Sequence, residues 1–285
     1  MRGSFSKDSS FFFFTSFQFY VRKDMIFSFV NKKIMPSFDS LKILLLQMRP
    51  DAFVREHEYK SIVETSGLTS EQITCVNALE ADLNSSILQG FDAFIIGGSG
   101  DYLISQGHIS EVVEKIGELV REARARHLPT FGICFGAQLM TVALGGRLVY
   151  GPEHQETGTF QITKTAAANQ CPIFSKLPVH FDAQLGHKDH IAELPSGAVL
   201  LASSERSPLQ AYTFPNEPLY AMIIHPEMNE DGMMFRFDYY QKEYGLAQET
   251  FEQMRSALRP SPDASRILRL FFEKIVCEGK TYPSV

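Results

Sequence analysis

Between Leu41 and Gln47 the chain reads Leu-Lys-Ile-Leu-Leu-Leu-Gln. The run is too short for a core helix and lacks the polar alternation of a half-exposed strand. A strand without a solvent face belongs to a parallel sheet with helices on both sides. The chain beyond it keeps to that plan. A helical pattern runs through Phe53, Tyr59, Ile62 and Val63, with Gly67 as its stop. Ile73–Val76 reads as a second strand and Phe91–Ile96 as a third, leading into Gly97-Gly98-Ser99-Gly100. Val112, Ile116, Leu119 and Val120 recur at helical spacing between Ile109 and Arg126. Thr130–Ile133 is a fourth strand, and Phe135–Leu144 a helix ending at Gly145-Gly146. Strands alternating with helices predict a doubly wound α/β domain with a mainly parallel sheet.

Past Arg147 the pattern shifts to short strands and turns as far as Pro226. A polar tail comes next, with helical runs at 235–243 and 265–276. The reading is one domain over 39–228 with the tail, 229–285, packed on it. Residues 1–38 stand apart, holding ten of the chain's 24 phenylalanines. The stretch from Phe11 to Val21 is too short and too polar to span a bilayer. A signal peptide fits poorly, because Asp8 interrupts the basic region and no small-x-small site follows. The segment is read as an extension outside the fold, with Met35 as the natural start; a targeting segment and a structural arm are the alternatives.

The 285 residues suffice for a full core without disulfides or metals. A net charge of −6 gives no reason to expect a nucleic-acid partner. The four cysteines, 75, 134, 171 and 277, form no CxxC pair, which points to a reducing compartment, the cytoplasm.

One cysteine is placed differently from the others. Gly132-Ile-Cys134-Phe-Gly136-Ala-Gln138 joins a predicted strand to a predicted helix. A nucleophile at such a junction sits on a tight turn with its side chain pushed out above the sheet. Gly132 lets the turn close, and Gly136 lets the helix pack on the sheet. The helix start favours negative charge, hence the thiolate, and leaves the Phe135 amide free for an oxyanion. A lone Gly-x-Cys-x-Gly is as often a small buried cysteine in a glycine turn.

Two further groups add to it. Ile223-Ile-His225-Pro-Glu227 ends an apolar run, placing an imidazole and a carboxylate together at a strand end. His225 would take the thiol proton, and Glu227 would fix the tautomer. The glycine turn at 97–100 ends another strand, where open α/β sheets bind ligands and backbone amides can face an oxyanion. No Gly-Lys-Ser/Thr follows, so it is not a P-loop.

In this order the three pieces resemble the class I, triad-type glutamine amidotransferases, in particular their stand-alone GMP-synthase-like branch, over about Leu41 to Glu227. The resemblance implies a flavodoxin-like fold and hydrolysis of the γ-amide of glutamine, or of a γ-glutamyl compound, through a thioester on Cys134. It implies His225 and Glu227 as the other triad members. It also implies the amides of Gly98 and Phe135 as oxyanion hole, and Gln138 as a substrate contact. His187 and Asp189, in Gly186-His-Lys-Asp189, are family-like and assigned to the substrate loop. Ser99 and Gly186 depart from the family pattern, where proline and serine are common. No cofactor is implied. His180, Asp182, His187, Asp189 and His190 cluster in sequence but follow no metal-ligand spacing, and no metal is assigned.

The acceptor of the ammonia stays open. The tail carries no nucleotide-binding motif and is short for a synthetase domain. Three readings stand: a glutaminase subunit docking on a separate synthase, a free-standing γ-glutamyl hydrolase or transferase, and a binding protein that kept the fold. A binding role needs none of Cys134, His225 and Glu227. No membrane partner is expected.

Overall fold

The computed structural model describes residues 35–100, 102–244 and 247–284. The readings made for residues before Met35 lie outside the described residues. In chain order the elements are β1 (Ile43–Gln47), α1 (Ala52–Ser66), β2 (Ile73–Asn77), β3 (Ala93–Ile96), α2 (Ser110–Ala125), β4 (Thr130–Ile133) and α3 (Phe135–Ala143). Then come β5 (Arg147–Tyr150), β6 (Glu156–Lys164), β7 (His180–His187), β8 (Asp189–Glu193), β9 (Val199–Ser203), β10 (Ala211–Thr213) and β11 (Leu219–Met222). The chain closes with α4 (Glu230–Tyr244), α5 (Gln248–Ser256), α6 (Pro262–Ser265), α7 (Ile267–Leu270) and a π-helical turn, Phe271–Cys277.

Nine strands form one sheet in the order β2-β1-β3-β4-β11-β10-β9-β6-β7. The first five run parallel, and the rest extend the sheet antiparallel. β5 and β8 make a separate two-stranded ladder. Every residue of β1 is buried, because its side chains alternate between two cores. Ile43 and Leu45 face one core with α1, α7 and the π-helical turn, while Leu44 and Leu46 face the other with α2 and α3. A strand covered on both sides has no room for a polar face, which explains the unbroken apolar run.

The helix stops follow the sequence. Asp51 caps α1 by accepting the Phe53 amide at 2.7 Å, and Gly67 ends it in the left-handed region at φ 73°. The tail closes a third core of Met228, Met233, Phe237, Phe251 and Leu258. Phe38 also touches the fold: Gln72 donates to its carbonyl at 2.7 Å, and the Arg269 guanidinium lies 5.5 Å from its ring. Among the described residues no helix is long and apolar enough to cross a membrane.

Gly136 sets how close α3 comes to the sheet. A Cβ there would overlap the Ile96 carbonyl at the end of β3. Gly136→Ala should therefore cost about 1–3 kcal/mol in urea unfolding through forced backbone shifts. Unfolding at the parent urea midpoint would show that the contact is slack.

Candidate active site

β3, β4 and β11 are neighbours in the parallel part of the sheet, so their carboxyl ends open on one edge. That edge collects Gly97-Gly98, Cys134 and His225. Between β4 and α3 the backbone of Cys134 takes φ 48°, ψ −102°, a conformation that side-chain-bearing residues rarely adopt. Its amide donates to the Met222 carbonyl at 2.8 Å, pinning the turn to β11. Gly132 makes the turn possible, because a Cβ there would meet the Ala137 nitrogen and the Gly136 carbonyl carbon at 2.8 Å.

Cys134 is buried, and its Sγ lies 3.8 Å from the Gly186 carbonyl oxygen. The sulfur and the His225 imidazole interact electrostatically, each against the same stretch of β7 at Gly186. On its other side His225 Nδ1 lies 2.8 Å from Glu227 Oε1, and both side chains are almost wholly buried. Burial alone would lower the imidazole pKa. The Glu227 carboxylate and the Cys134 sulfur outweigh it and raise the value to about 10. Burial works against the Glu227 charge, but His225 and then Arg236 hold its pKa below the usual carboxylate value. A thiol beside an imidazole that a carboxylate orients can pass its proton to the ring, attack an acyl carbon and have the ring protonate the departing amine.

The remaining predicted residues are near but mostly committed. Phe135 begins α3, and its amide is one of the first-turn donors without an intrahelical acceptor. The Gly98 amide, expected to be free for an oxyanion, instead donates to Glu58 Oε1 at 2.9 Å. The reason is a buried carboxylate on α1 that no sequence signal places there. Gln138, His187 and Asp189 line the cavity over Cys134 with Ser99, Gly100 and Thr157. Gln138 donates to the Asp189 carbonyl at 2.9 Å, and His187 is held between that carbonyl and Glu156, both at 3.0 Å. Asp189 accepts the Ser105 hydroxyl and amide at 2.5 and 2.9 Å. These three therefore shape the wall of the cavity through mutual contacts. Among the described residues no three ligand-type side chains converge as a metal site would require; His180 bonds Thr163, and Asp182 pairs with Arg259.

A buried polar cluster on the other side of His225 lies beyond the motifs. Arg49, just past β1, pairs with Glu58 at 3.0 Å, both side chains at most 2% exposed. Glu58 also accepts from Gln47 at 3.0 Å, and Arg49 reaches the Tyr240 hydroxyl at 3.4 Å. Arg236 of α4 donates through Nε to His57 Nδ1 at 3.0 Å. Burial, then Arg236 and Arg49, lower the His57 pKa to about 4, so the ring is a neutral acceptor at pH 7. One signal could have found it: an arginine directly past the carboxyl end of a parallel strand stands where such sheets bind ligands. Arg236 and Tyr240 lie in the polar tail and carry no such signal.

Removing the Glu58 carboxylate would strand the Arg49 guanidinium and release the 97–98 turn. Glu58→Ala should cost about 3–5 kcal/mol in chemical unfolding. A loss below about 1 kcal/mol, the size of an exposed pair, would show that Arg49 is hydrated.

The family model for class-I glutamine amidotransferases matches residues 61–236. The glutamine-hydrolysing GMP synthase subunit of Thermoplasma volcanium is 33% identical over 147 residues, 52% of this chain and 68% of that protein. The corresponding subunit of Methanocaldococcus jannaschii is 30% identical over 116 residues, covering 41% of this chain and 60% of its own length. A solved glutamine amidotransferase from Thermotoga maritima superposes with a TM-score of 0.62 at 17% identity, covering 83% of this chain and 98% of that one. The last is a likeness of fold. The sheet order, the strained cysteine turn and the match over more than half its length together make the chain a member of the class-I glutamine amidotransferase family.

Proposed function

We propose that the chain is a cysteine-dependent hydrolase of γ-glutamyl amides, with Cys134 as nucleophile, His225 as acid–base group and Glu227 as its orienting carboxylate. The observation that carries this is the buried His225–Glu227 pair, 2.8 Å apart, meeting Cys134 at Gly186, with the cysteine on a strained turn at the sheet's carboxyl edge. The sulfur attacks the γ-carbonyl carbon, and the Phe135 amide faces the oxygen that gains charge. The His225 proton passes to the departing nitrogen as the carbon–nitrogen bond breaks. Water, losing a proton to His225, then attacks the thioester, releasing glutamate and restoring the free cysteine and histidine. The Gly98 amide joins the oxyanion hole only if Glu58 lets it go, so Phe135 is the donor available as the protein stands.

The relatives named as one subunit of GMP synthase favour a second reading, a glutaminase that passes ammonia to a separate synthase. A docked glutaminase is normally quiet alone, whereas a free-standing hydrolase is not. Incubating the purified chain with glutamine, glutathione and γ-glutamyl dipeptides separates the two. We expect turnover without a partner; silence on every substrate, relieved by adding cell extract, would favour the docked glutaminase.

Cys134→Ala should lower turnover at least about a thousandfold with the fold intact. A glutamine-like chloroketone at low dose should label Cys134 alone, since Cys134 lines the cavity with Gln138 and His187, whereas Cys171 is buried in the core and Cys75 and Cys277 lie outside that cavity. Equal labelling of those three would overturn the assignment. His225→Ala should be near-dead. Glu227→Ala should lose about a hundredfold less, because the base survives but is loosely held. Wild-type kcat in the His225 variant would end the triad reading.

The pH profile follows from the raised imidazole. With its pKa moved from 6.5 to about 10, the ion pair's contribution is complete below pH 6.5 and lost as pH rises through about 10. The alkaline limb of kcat/KM should lie correspondingly high. Glu227→Gln should bring it down by about 1–3 pH units, by removing the charge that does most to raise it. An unmoved limb would show that Glu227 does not hold the proton on His225.

A further inference from the structure

We propose that the cavity behind His225 is a carboxylate-binding pocket for the departing amine, making γ-glutamyl amides of amino acids, rather than free glutamine, the preferred substrates. This rests on the reading of Cys134 as a γ-glutamyl hydrolase and adds what lies beyond the scissile bond. Two cavities meet at Ser99, Gly100, Thr157 and Gly186. Cys134 lines one and His225 the other. The acyl carbon must bond to Sγ, and the leaving nitrogen must take its proton from His225. The glutamyl half therefore sits over Cys134, and the amine half enters the cavity on the His225 side.

That second cavity is lined by the polar Arg49, Arg236 and Tyr240 and by the apolar Met228, Met233 and Phe237. Arg49 is neutralised by Glu58, and Glu227 by His225. Among the described residues Arg236 makes no ion pair at contact distance, and Glu58 and Glu227 act on it only from further off. Arg236 is 6% exposed, and its second terminal nitrogen has no hydrogen-bond partner. Burial, then repulsion from Arg49, bring its pKa down to about 10, so it stays charged at neutral pH. Its Nε is satisfied by His57, but a buried cation with one terminal N–H group unpaired is costly and favours an anion that reaches it. The apolar lining suits the carbon that links an amine to its carboxylate. Gly186 lies at the junction of the two cavities, where a Cβ would stand 3.8 Å from His225 Nε2. A hydroxymethyl group at that position would narrow the junction further.

In the reaction the carbon–nitrogen bond breaks and the carbon–sulfur bond forms. The imidazolium proton makes the product a free amino acid, and water later takes the acyl group as glutamate. No other reactant is needed.

The test compares γ-glutamylglycine, whose amine carries a carboxylate, with γ-glutamyl ethylamide, whose amine does not, on the full chain. Wild-type protein should favour the first by about tenfold or more in kcat/KM, mostly through KM. Arg236→Met should bring the ratio to about one. A wild-type ratio near one, or a ratio unchanged in the variant, overturns the pocket. If Arg236→Met does not fold, Arg236→Lys replaces it, with a partial fall expected and an unchanged ratio decisive against. Arg206, exposed in an outer groove near the site, is the control; collapse of the preference in Arg206→Ala, with Arg236→Met unaffected, places the anion there and overturns the proposal. Calorimetric titration of Cys134→Ala with both amides keeps the two claims apart. Selective binding of γ-glutamylglycine, lost when Arg236→Met is added, upholds the pocket even if wild-type turns over neither amide. Equal binding of the two overturns it.

Discussion

The turn at Cys134 forces one residue with a side chain into backbone space that few such residues occupy. Everything near it is arranged to keep it there. Gly132 and Gly136 remove the side chains that would collide with α3 and with the end of β3. The Cys134 amide is tied to β11, and the Gly136 amide donates to the Gly97 carbonyl at 3.1 Å. Three strand ends are thereby locked to one another. The strain is held by the packing of two cores and by the sheet ladder, which together over-determine the turn. The sulfur is thus presented at the edge where the imidazole of the neighbouring strand can meet it.

Charge is the second constraint. Five ionisable side chains, Arg49, Glu58, His225, Glu227 and Arg236, are buried within one region. Each ion pair there offsets a desolvation penalty that neither partner could bear alone. The cluster is tuned as a unit: His225 moves up, Glu227 moves down, and Arg236 moves down through burial and Arg49. Glu58 links the two halves, because it neutralises Arg49 and holds the Gly98 amide at once. The glycine turn is therefore anchored from α1 rather than left open.

Most of the α/β frame can be read from the chain. β1 to β4 and the helices between them follow short apolar runs and helical spacing, with end points shifted by a residue or two. Thr130–Ile133 coincides with β4 because Pro129 and the turn after Ile133 bound the run sharply. The elbow is legible for a local reason: only glycine fits at 132 and 136. The cluster around Arg49 is not, because its members are far apart in the chain. Glu58 sits on a charged helix whose apolar stripe gives no hint that one carboxylate turns inward. Arg236 and Tyr240 belong to a tail whose composition reads as surface, and α5 gives no helical signal because so few of its residues are apolar. Gln138, His187 and Asp189 are legible as family-like positions. Their contacts with one another depend on a fold that no short motif encodes.

The central claim is that the buried thiol forms an acyl bond with a γ-glutamyl group. Acid-quenching the protein during turnover of a γ-glutamyl amide, digesting it, and weighing the peptides addresses that claim directly. A γ-glutamyl adduct is expected on the peptide containing Cys134, lost on treatment with neutral hydroxylamine. Steady release of glutamate with no adduct on that peptide, or an adduct on another cysteine, would contradict it.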